Sequence, residues 1–164
     1  MRVALITGGN KGLGYETARQ LKEQGYKVYI GSRDTARGAQ AAEALDVTSI
    51  QLDVTDEDSI KQAAEAIQAE EGRLDILINN SGISGSMKPP EAITAEVMQQ
   101  VYDTNVFGIV RMMHHFVPLL EQSSQPVVVN VSSGLGSFGM VTNPDTEEYQ
   151  VNSLAYCSSK SAVT

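Results

Sequence analysis

The sequence predicts an α/β fold built around a parallel β-sheet. Short apolar runs rich in β-branched residues alternate along the chain with longer stretches of helical periodicity, which is the pattern of repeated β-α-β units. The first apolar run also leads directly into the glycine-rich stretch Thr7 to Gly14, a type of turn that joins a strand to a helix. Because 164 residues with 41% apolar content suffice for one buried core, we expect a single domain over residues 1–164.

Five strands and four helices are predicted in order. The strands are expected at Val3 to Thr7, Lys27 to Ser32, Ser49 to Leu52, Leu74 to Asn79 and Pro126 to Val131. The helices are expected at Leu13 to Gln24, Ala36 to Ala44, Asp56 to Glu71 and Asn105 to Gln122, the last one bent or shortened by Pro118. The segment Ser133 to Asn152, rich in Gly, Ser, Asn and Asp, is predicted to be a loop that precedes a helix carrying Tyr156.

Composition excludes several classes of function. A net charge of −8 argues against binding to nucleic acid or to an anionic membrane. No apolar run approaches the roughly 18 residues of a membrane span, and Met1-Arg2 leads straight into a strand, so we expect a cytoplasmic protein. The single cysteine, Cys157, excludes an internal disulfide, and the adjacent His114 and His115 point about 100° apart on a helix. No metal site is expected, and any redox chemistry must come from a cofactor.

The glycine-rich turn suits a phosphate group. Gly8 and Gly12 allow backbone angles or close approach that a Cβ would block, and Gly14 lets the following helix pack closely. Backbone N–H groups at the start of that helix, together with the helix dipole, favour a pyrophosphate. A tight β-α turn without a ligand would explain the same glycines.

Tyr156 and Lys160 form a possible proton-transfer pair. Four residues apart on a helix, they lie on the same face. An ammonium about 4 Å from a phenolate, at an effective dielectric constant near 20, contributes about 4 kcal/mol. Tyr156 could then give a proton to a carbonyl oxygen near neutral pH. Alone, this spacing more often marks a solvated helix face.

Six motifs in order resemble those of the short-chain dehydrogenase/reductase family. The stretch T-G-x-x-x-G-x-G at Thr7 to Gly14 resembles its cofactor motif. N-N-S-G at Asn79 to Gly82 is similar to its N-N-A-G. The others are Leu52-Asp53-Val54, Asn105 in T-N-V-F-G, N-V-S-S at Asn130 to Ser133, and Tyr156 with Lys160. The resemblance covers essentially the whole chain.

The resemblance implies a fold and a set of site residues. The fold is a three-layer, doubly wound parallel sheet (Rossmann fold) with strand order 3-2-1-4-5, lacking the last two strands of the family. The catalytic residues it implies are Asn105, Ser133, Tyr156 and Lys160. The implied cofactor contacts are Gly8, Asn10, Lys11, Gly12, Leu13, Gly14, Arg33, Asp53, Val54, Asn79, Ser81, Gly82, Tyr156 and Lys160.

The end of the second strand bears on cofactor choice. A dehydrogenase that prefers NAD usually places an acidic residue there to bind the ribose 2′-hydroxyl. Here Arg33 could pair with a 2′-phosphate, and Lys11 could add a second cation. Asp34 competes with this reading, but we expect it to cap the next helix. NADP(H) is therefore favoured over NAD(H).

The implied activity is reduction of a ketone, aldehyde or quinone to an alcohol, as in the carbonyl reductases that the chain resembles. Met140, Val141, Asn143 and Tyr149, between Ser133 and Tyr156, are candidates for contact with this small-molecule substrate. Because family members continue past the lysine helix, the alternative is a truncated dinucleotide-binding or interaction module without turnover. A homodimer through the Asn105–Gln122 and Tyr156 helices is a further expectation from the resemblance.

Overall fold

The structure is a computed structural model that describes residues 1–151 and 153–164. Its strands are β1 (Val3–Thr7), β2 (Lys27–Ser32), β3 (Thr48–Gln51), β4 (Ile76–Asn79) and β5 (Val127–Asn130). Its helices are α1 (Gly12–Glu23), α2 (Thr35–Leu45), α3 (Glu57–Glu71), α4 (Ala95–Tyr102), α5 (Gly108–Leu120), α6 (Phe138–Val141) and α7 (Leu154–Val163). A π-helical turn spans Asp103–Phe107, and 3₁₀ turns span Pro90–Ala92, Gly134–Gly136 and Glu147–Gln150.

The five strands form one sheet in the order β3-β2-β1-β4-β5, and every neighbouring pair is parallel. This confirms the predicted doubly wound α/β fold and its strand order. In the centre of the sheet, Leu5 of β1 lies opposite Tyr29 of β2 and Leu77 of β4. The carboxyl ends of all five strands therefore lie along one edge of the sheet.

Helices cover both faces of the sheet. Val3 and Leu5 lie in a core cluster with Ile60 of α3 and Phe116 of α5. Because side chains alternate along a strand, the neighbouring residues of β1 face the opposite side, where α1 contacts β1 and β2, and α2 contacts β2 and β3. Among the described residues, no helix is long and apolar enough to cross a bilayer.

The chain divides into two compact units. The first comprises Met1–Ser81 and Val110–Asn130 and contains the whole sheet. The second comprises Gly82–Ile109 and Val131–Thr164, in which α7 contacts α4, the π-helical turn and the 3₁₀ turn at Gly134–Gly136. The single domain over residues 1–164 stays a prediction.

Some elements differ from those expected. Helix α4 was not predicted, because its eight residues follow a proline pair and give only a short periodic signal. The predicted loop Ser133 to Asn152 contains α6 and two 3₁₀ turns, and Asn152 lies outside the described residues. Helix α5 continues through Pro118 to Leu120. The missing N–H of Pro118 affects only the carbonyl of the exposed His114, which water can reach.

Candidate active site

The glycine-rich turn after β1 has left-handed backbone angles, which glycine adopts more readily than other residues. Gly8 and Gly12 have φ values of 65° and 58°, in the left-handed region. A Cβ on Gly14 would lie 2.5 Å from Asn80 Nδ2, so only glycine fits at this point of α1. A Cβ on Gly12, by contrast, would meet no atom within 4 Å, so this side of the turn is open.

Asn80 and Thr7 hold this turn in place. Asn80 Nδ2 donates to the carbonyl oxygens of Thr7 at 2.9 Å and Gly8 at 3.3 Å. Thr7 Oγ1 in turn accepts hydrogen bonds from the backbone N–H groups of Asn80 at 3.0 Å and Ser81 at 2.9 Å. Sequence reasoning did not name either residue as part of the site. The polar doublet of N-N-S-G, directly after a buried strand, was the available signal.

The first turn of α1 is the best-suited anion site in this unit. Lys11, at the N-cap position, makes no side-chain capping bond, and the first turn contains no acidic residue. Helices α2 and α3 differ, because Asp34 and Asp56 cap them with their carboxylates. The uncapped N–H groups of α1 and its dipole therefore fit a pyrophosphate. The expected cap at Asp34 is confirmed by its bond to the backbone N–H of Arg37 at 3.0 Å.

A cleft of about 420 Å³ adjoins this turn and is lined by Asn10, Lys11, Tyr15, Arg37, Gln40, Ala41 and Ala44. It brings together two cations, Lys11 and Arg37. Arg37 was not predicted, although the second arginine of R-D-T-A-R-G was a visible signal. Arg33, which was predicted, is exposed and does not line the cleft.

The other predicted cofactor contacts in this unit follow β3 and β4. Asp53 is half-buried, and its Oδ1 accepts bonds from the N–H and hydroxyl of Thr55 at 2.9 and 2.8 Å. Val54 is buried, whereas Leu13 on α1 is exposed. Asn79 Nδ2 donates to Asn130 Oδ1 at 2.8 Å, while its own Oδ1 is buried without a partner among the described residues.

All four predicted catalytic residues lie in the second unit. Tyr156 and Lys160 stand one turn apart on α7, with Lys160 Nζ 5.7 Å from the centroid of the tyrosine ring. Lys160 is only 5% exposed, and Nζ donates to the carbonyl oxygen of Val131 at 2.6 Å. Burial lowers the pKa of Lys160, because it disfavours the charged form.

Asn105 connects the π-helical turn to two other segments of this unit. Its Oδ1 accepts from Ile83 N–H at 2.9 Å, and its Nδ2 donates to the Ile83 carbonyl at 3.0 Å and to Ser159 Oγ on α7 at 2.9 Å. A Cβ on Gly82 would lie 3.4 Å from Asn105 Oδ1 and 3.7 Å from Lys160 Nζ. Gly82, Asn105 and Lys160 therefore lie close together.

Ser133 begins a 3₁₀ turn that packs on α7. Its Oγ accepts from Leu135 N–H at 3.2 Å. Ser132 Oγ donates to the Lys160 carbonyl at 3.1 Å, and a Cβ on Gly136 would lie 2.6 Å from the Lys160 carbonyl carbon. Gly136, which was not predicted, allows this close approach. The turn and the helix are thus fixed together at the backbone of Lys160.

The described residues contain no group of three or more His, Cys, Asp or Glu side chains that could hold a metal ion. The rings of His114 and His115 meet edge to face with centroids 5.0 Å apart. His115 Nε2 lies 2.6 Å from Glu57 Oε1. His115 and Glu57 are thus within hydrogen-bonding distance of each other at the surface.

The chain matches a known family along nearly its whole length. The family described as short chain dehydrogenase matches residues 2–164. A (+)-neomenthol dehydrogenase from Arabidopsis thaliana is 38% identical, over 87% of this chain and 57% of its own length. The chain therefore spans little more than half of that relative.

Two solved structures of bacterial proteins are similar. One is a 3-ketoacyl-(acyl-carrier-protein) reductase from Brucella melitensis complexed with NADH. It is 27% identical, with a TM-score of 0.86 over 99% of this chain and 65% of that one. The other is the RhlG/NADP active-site complex from Pseudomonas aeruginosa, 29% identical, with a TM-score of 0.86 over 99% and 62% of the two chains.

Proposed function

The chain belongs to the short-chain dehydrogenase family, and from this we propose that it is an NADP(H)-dependent oxidoreductase that reduces a carbonyl group to an alcohol. The ketone, aldehyde or quinone is a small molecule. One observation carries the proposal. Tyr156 and Lys160 stand one turn apart on α7, to which the segments of Ser133 and Asn105 are hydrogen-bonded. The lone Cys157 suits the reducing cytoplasm, where we place this activity.

Each of the four residues has a separate part. Tyr156 donates a proton to the carbonyl oxygen, and Ser133 hydrogen-bonds that oxygen and orients it. The ammonium of Lys160 lies near the tyrosine ring, where it would stabilise the negative charge left on the tyrosine oxygen when the proton leaves. Asn105 is a positioning residue, because both ends of its amide are occupied by Ile83 and Ser159.

The cofactor would be held by the uncapped start of α1, by Asp53 and by the segment Asn79 to Gly82. NADP(H) supplies the hydride when it is bound. The similar structures include complexes with NADH and with NADP, so the preference is argued from this chain alone. Lys11 and Arg37 line the same cleft, and two cations there support a site for the 2′-phosphate.

A titration of the two cofactors tests this choice. Arg37→Gln should weaken NADPH binding by at least about tenfold and leave NADH binding unchanged, because only NADPH carries the 2′-phosphate. Lys61→Gln, an exposed lysine on α3, is the control for loss of a positive charge. Equal effects of Arg37→Gln on both cofactors would contradict the assignment.

NADPH oxidation with a panel of ketones, aldehydes and quinones tests the activity itself. Tyr156→Phe should abolish oxidation while NADPH affinity stays nearly unchanged, since the variant loses only the proton donor. Retained turnover in Tyr156→Phe would overturn the role of the tyrosine. Tight NADPH binding without oxidation of any panel member would instead support the dinucleotide-binding module. Intact-mass spectrometry of the same sample relates each result to the length of chain assayed.

A homodimer is proposed through α5 and α7. Val110 is 61% exposed on α5, and Leu154 is exposed on α7. Met112 and Phe116 take the buried positions of α5. Light scattering should show a dimer that Val110→Glu converts to a monomer, and a monomeric parent chain would refute the proposal.

A further inference from the structure

A carboxylate lies beside the residue that follows Ser133. A Cβ placed on Gly134 would lie 2.5 Å from Glu148 Oε1 and 3.4 Å from Met140 Cε. Glu148 belongs to the 3₁₀ turn Glu147–Gln150, and both residues belong to the second unit. The side chain of Glu148 therefore reaches back over fourteen residues of sequence to the segment of the catalytic serine.

This carboxylate has no partner in the part of the chain that the structure describes. Within residues 1–151 and 153–164, the Glu148 side chain makes no hydrogen bond or ion pair, although it is half-buried. Its backbone carbonyl, by contrast, accepts from Val151 N–H at 3.1 Å. A cation that binds beside a carboxylate without a protein partner gains direct charge attraction.

The same segment presents aromatic surface. Phe138 is 81% exposed at the start of α6, and Tyr149, next to Glu148, is exposed as well. Aromatic faces attract organic cations, and a carboxylate adds direct charge attraction. An anionic substrate would be repelled by Glu148, and a neutral one would gain nothing from its charge.

We propose that Glu148 is a specificity residue that selects carbonyl substrates bearing a positively charged nitrogen. The nitrogen would lie next to Glu148 while the carbonyl oxygen is held by Ser133, since Glu148 Oε1 lies beside Gly134, the residue that follows Ser133. This inference rests on the proposed carbonyl reduction, but it concerns only which substrates are favoured.

Two ketones of nearly identical shape test it. The 1,1-dimethyl-4-oxopiperidinium ion carries a permanent charge, and 4,4-dimethylcyclohexanone has carbon in place of the nitrogen. The parent chain should favour the cation in kcat/KM by about tenfold, which corresponds to about 1.4 kcal/mol. Glu148→Gln should bring the ratio close to one. Because the carboxylate makes no bond among the described residues, this isosteric change should leave folding intact.

Glu147→Gln is the matched control. Glu147 is the exposed neighbour in the same 3₁₀ turn, and its loss changes the net charge by the same amount. The ratio should stay near tenfold in this variant. A ratio that is equal in the parent and in Glu148→Gln, or that falls equally in both variants, would overturn the inference while leaving the reductase activity established.

A binding measurement separates the two proposals. Dissociation constants of both ketones, from NMR titration of the protein with NADP⁺ added so that no reduction occurs, should give the same tenfold ratio and the same loss in Glu148→Gln. If neither ketone is reduced, the proposed function fails for this substrate class, and the ratio of dissociation constants still decides the role of Glu148. Equal dissociation constants in the parent chain would refute it.

Discussion

Replacing Asn105 with alanine should separate the architecture of the site from its chemistry. Asn105 is 1% exposed, and its amide serves the N–H and carbonyl of Ile83 and the hydroxyl of Ser159. Asn105→Ala removes all three bonds. A buried polar group left without its partner costs about 1–3 kcal/mol.

The three groups are not equivalent. Ser159 Oγ keeps a second bond to the Tyr156 carbonyl at 2.8 Å, and Ile83 is only half-buried, so water can reach its backbone. We therefore assign each of the three groups a cost of about 1 kcal/mol, which gives a total loss of about 3 kcal/mol in the free energy of unfolding. Urea unfolding followed by circular dichroism measures this loss.

Ser159→Ala is the matched control for this prediction. It removes one of the three bonds to Asn105 and should cost about 1 kcal/mol. The double variant should cost about 1 kcal/mol less than the sum of the single ones, because the shared bond is counted twice in that sum. A loss below about 1 kcal/mol for Asn105→Ala, or strictly additive losses, would refute the view that this amide joins α7 to the π-helical turn.

Three further variants test other features. Gly136→Ala should lower kcat more than it weakens NADPH binding, because the added Cβ would lie 2.6 Å from the carbonyl carbon of Lys160 and displace α7. An unchanged kcat would show that the 3₁₀ turn moves instead and leaves α7 in place. Lys160→Met should abolish reduction yet raise the free energy of unfolding, measured by urea unfolding, by about 1 kcal/mol. Burial lowers the pKa of Lys160, so the buried ammonium costs stability that the methionine does not. Burial raises the pKa of Asp75, but hydrogen bonds, chiefly from Ser123, outweigh it and leave the value below normal. The stability from Asp75 is therefore present above about pH 4 and lost in more acidic solution, a loss that Asp75→Asn should remove from the pH profile of thermal unfolding.

The fold could be predicted because its signals are local. The strands Val3–Thr7 and Lys27–Ser32 were predicted at their observed bounds, since each is an apolar run between glycine or charged residues. The segment from Ser133 onward was predicted as a loop from its glycine, serine and asparagine content. Its short helices depend instead on side-chain bonds such as Thr142 Oγ1 to the Phe138 carbonyl at 2.7 Å, which composition does not reveal.

The residues of the candidate site were named only in part from the sequence. Resemblance named the tyrosine, lysine, serine and asparagine, and the structure places all four in one compact unit. It did not name Arg37, although this residue stands in R-D-T-A-R-G, and it did not name Glu148, which stands in none of the six motifs. Arg37 becomes visible when the cleft beside Lys11 is formed, and Glu148 when the 3₁₀ turn folds back to Gly134. Both depend on contacts between residues that are distant in the sequence.

The positions of the reactive groups follow from glycines as much as from polar side chains. Gly82 leaves room beside the Asn105 amide and the Lys160 ammonium, and Gly136 lets a backbone turn touch the carbonyl of the same lysine. Lys160 has no acidic partner among the described residues, so its buried charge is held by the carbonyl of Val131 and by packing. An ammonium held in this way is not neutralised by a carboxylate. Its charge therefore lies 5.7 Å from the centroid of the tyrosine ring one turn away, where the proton transfer that we propose at Tyr156 would use it.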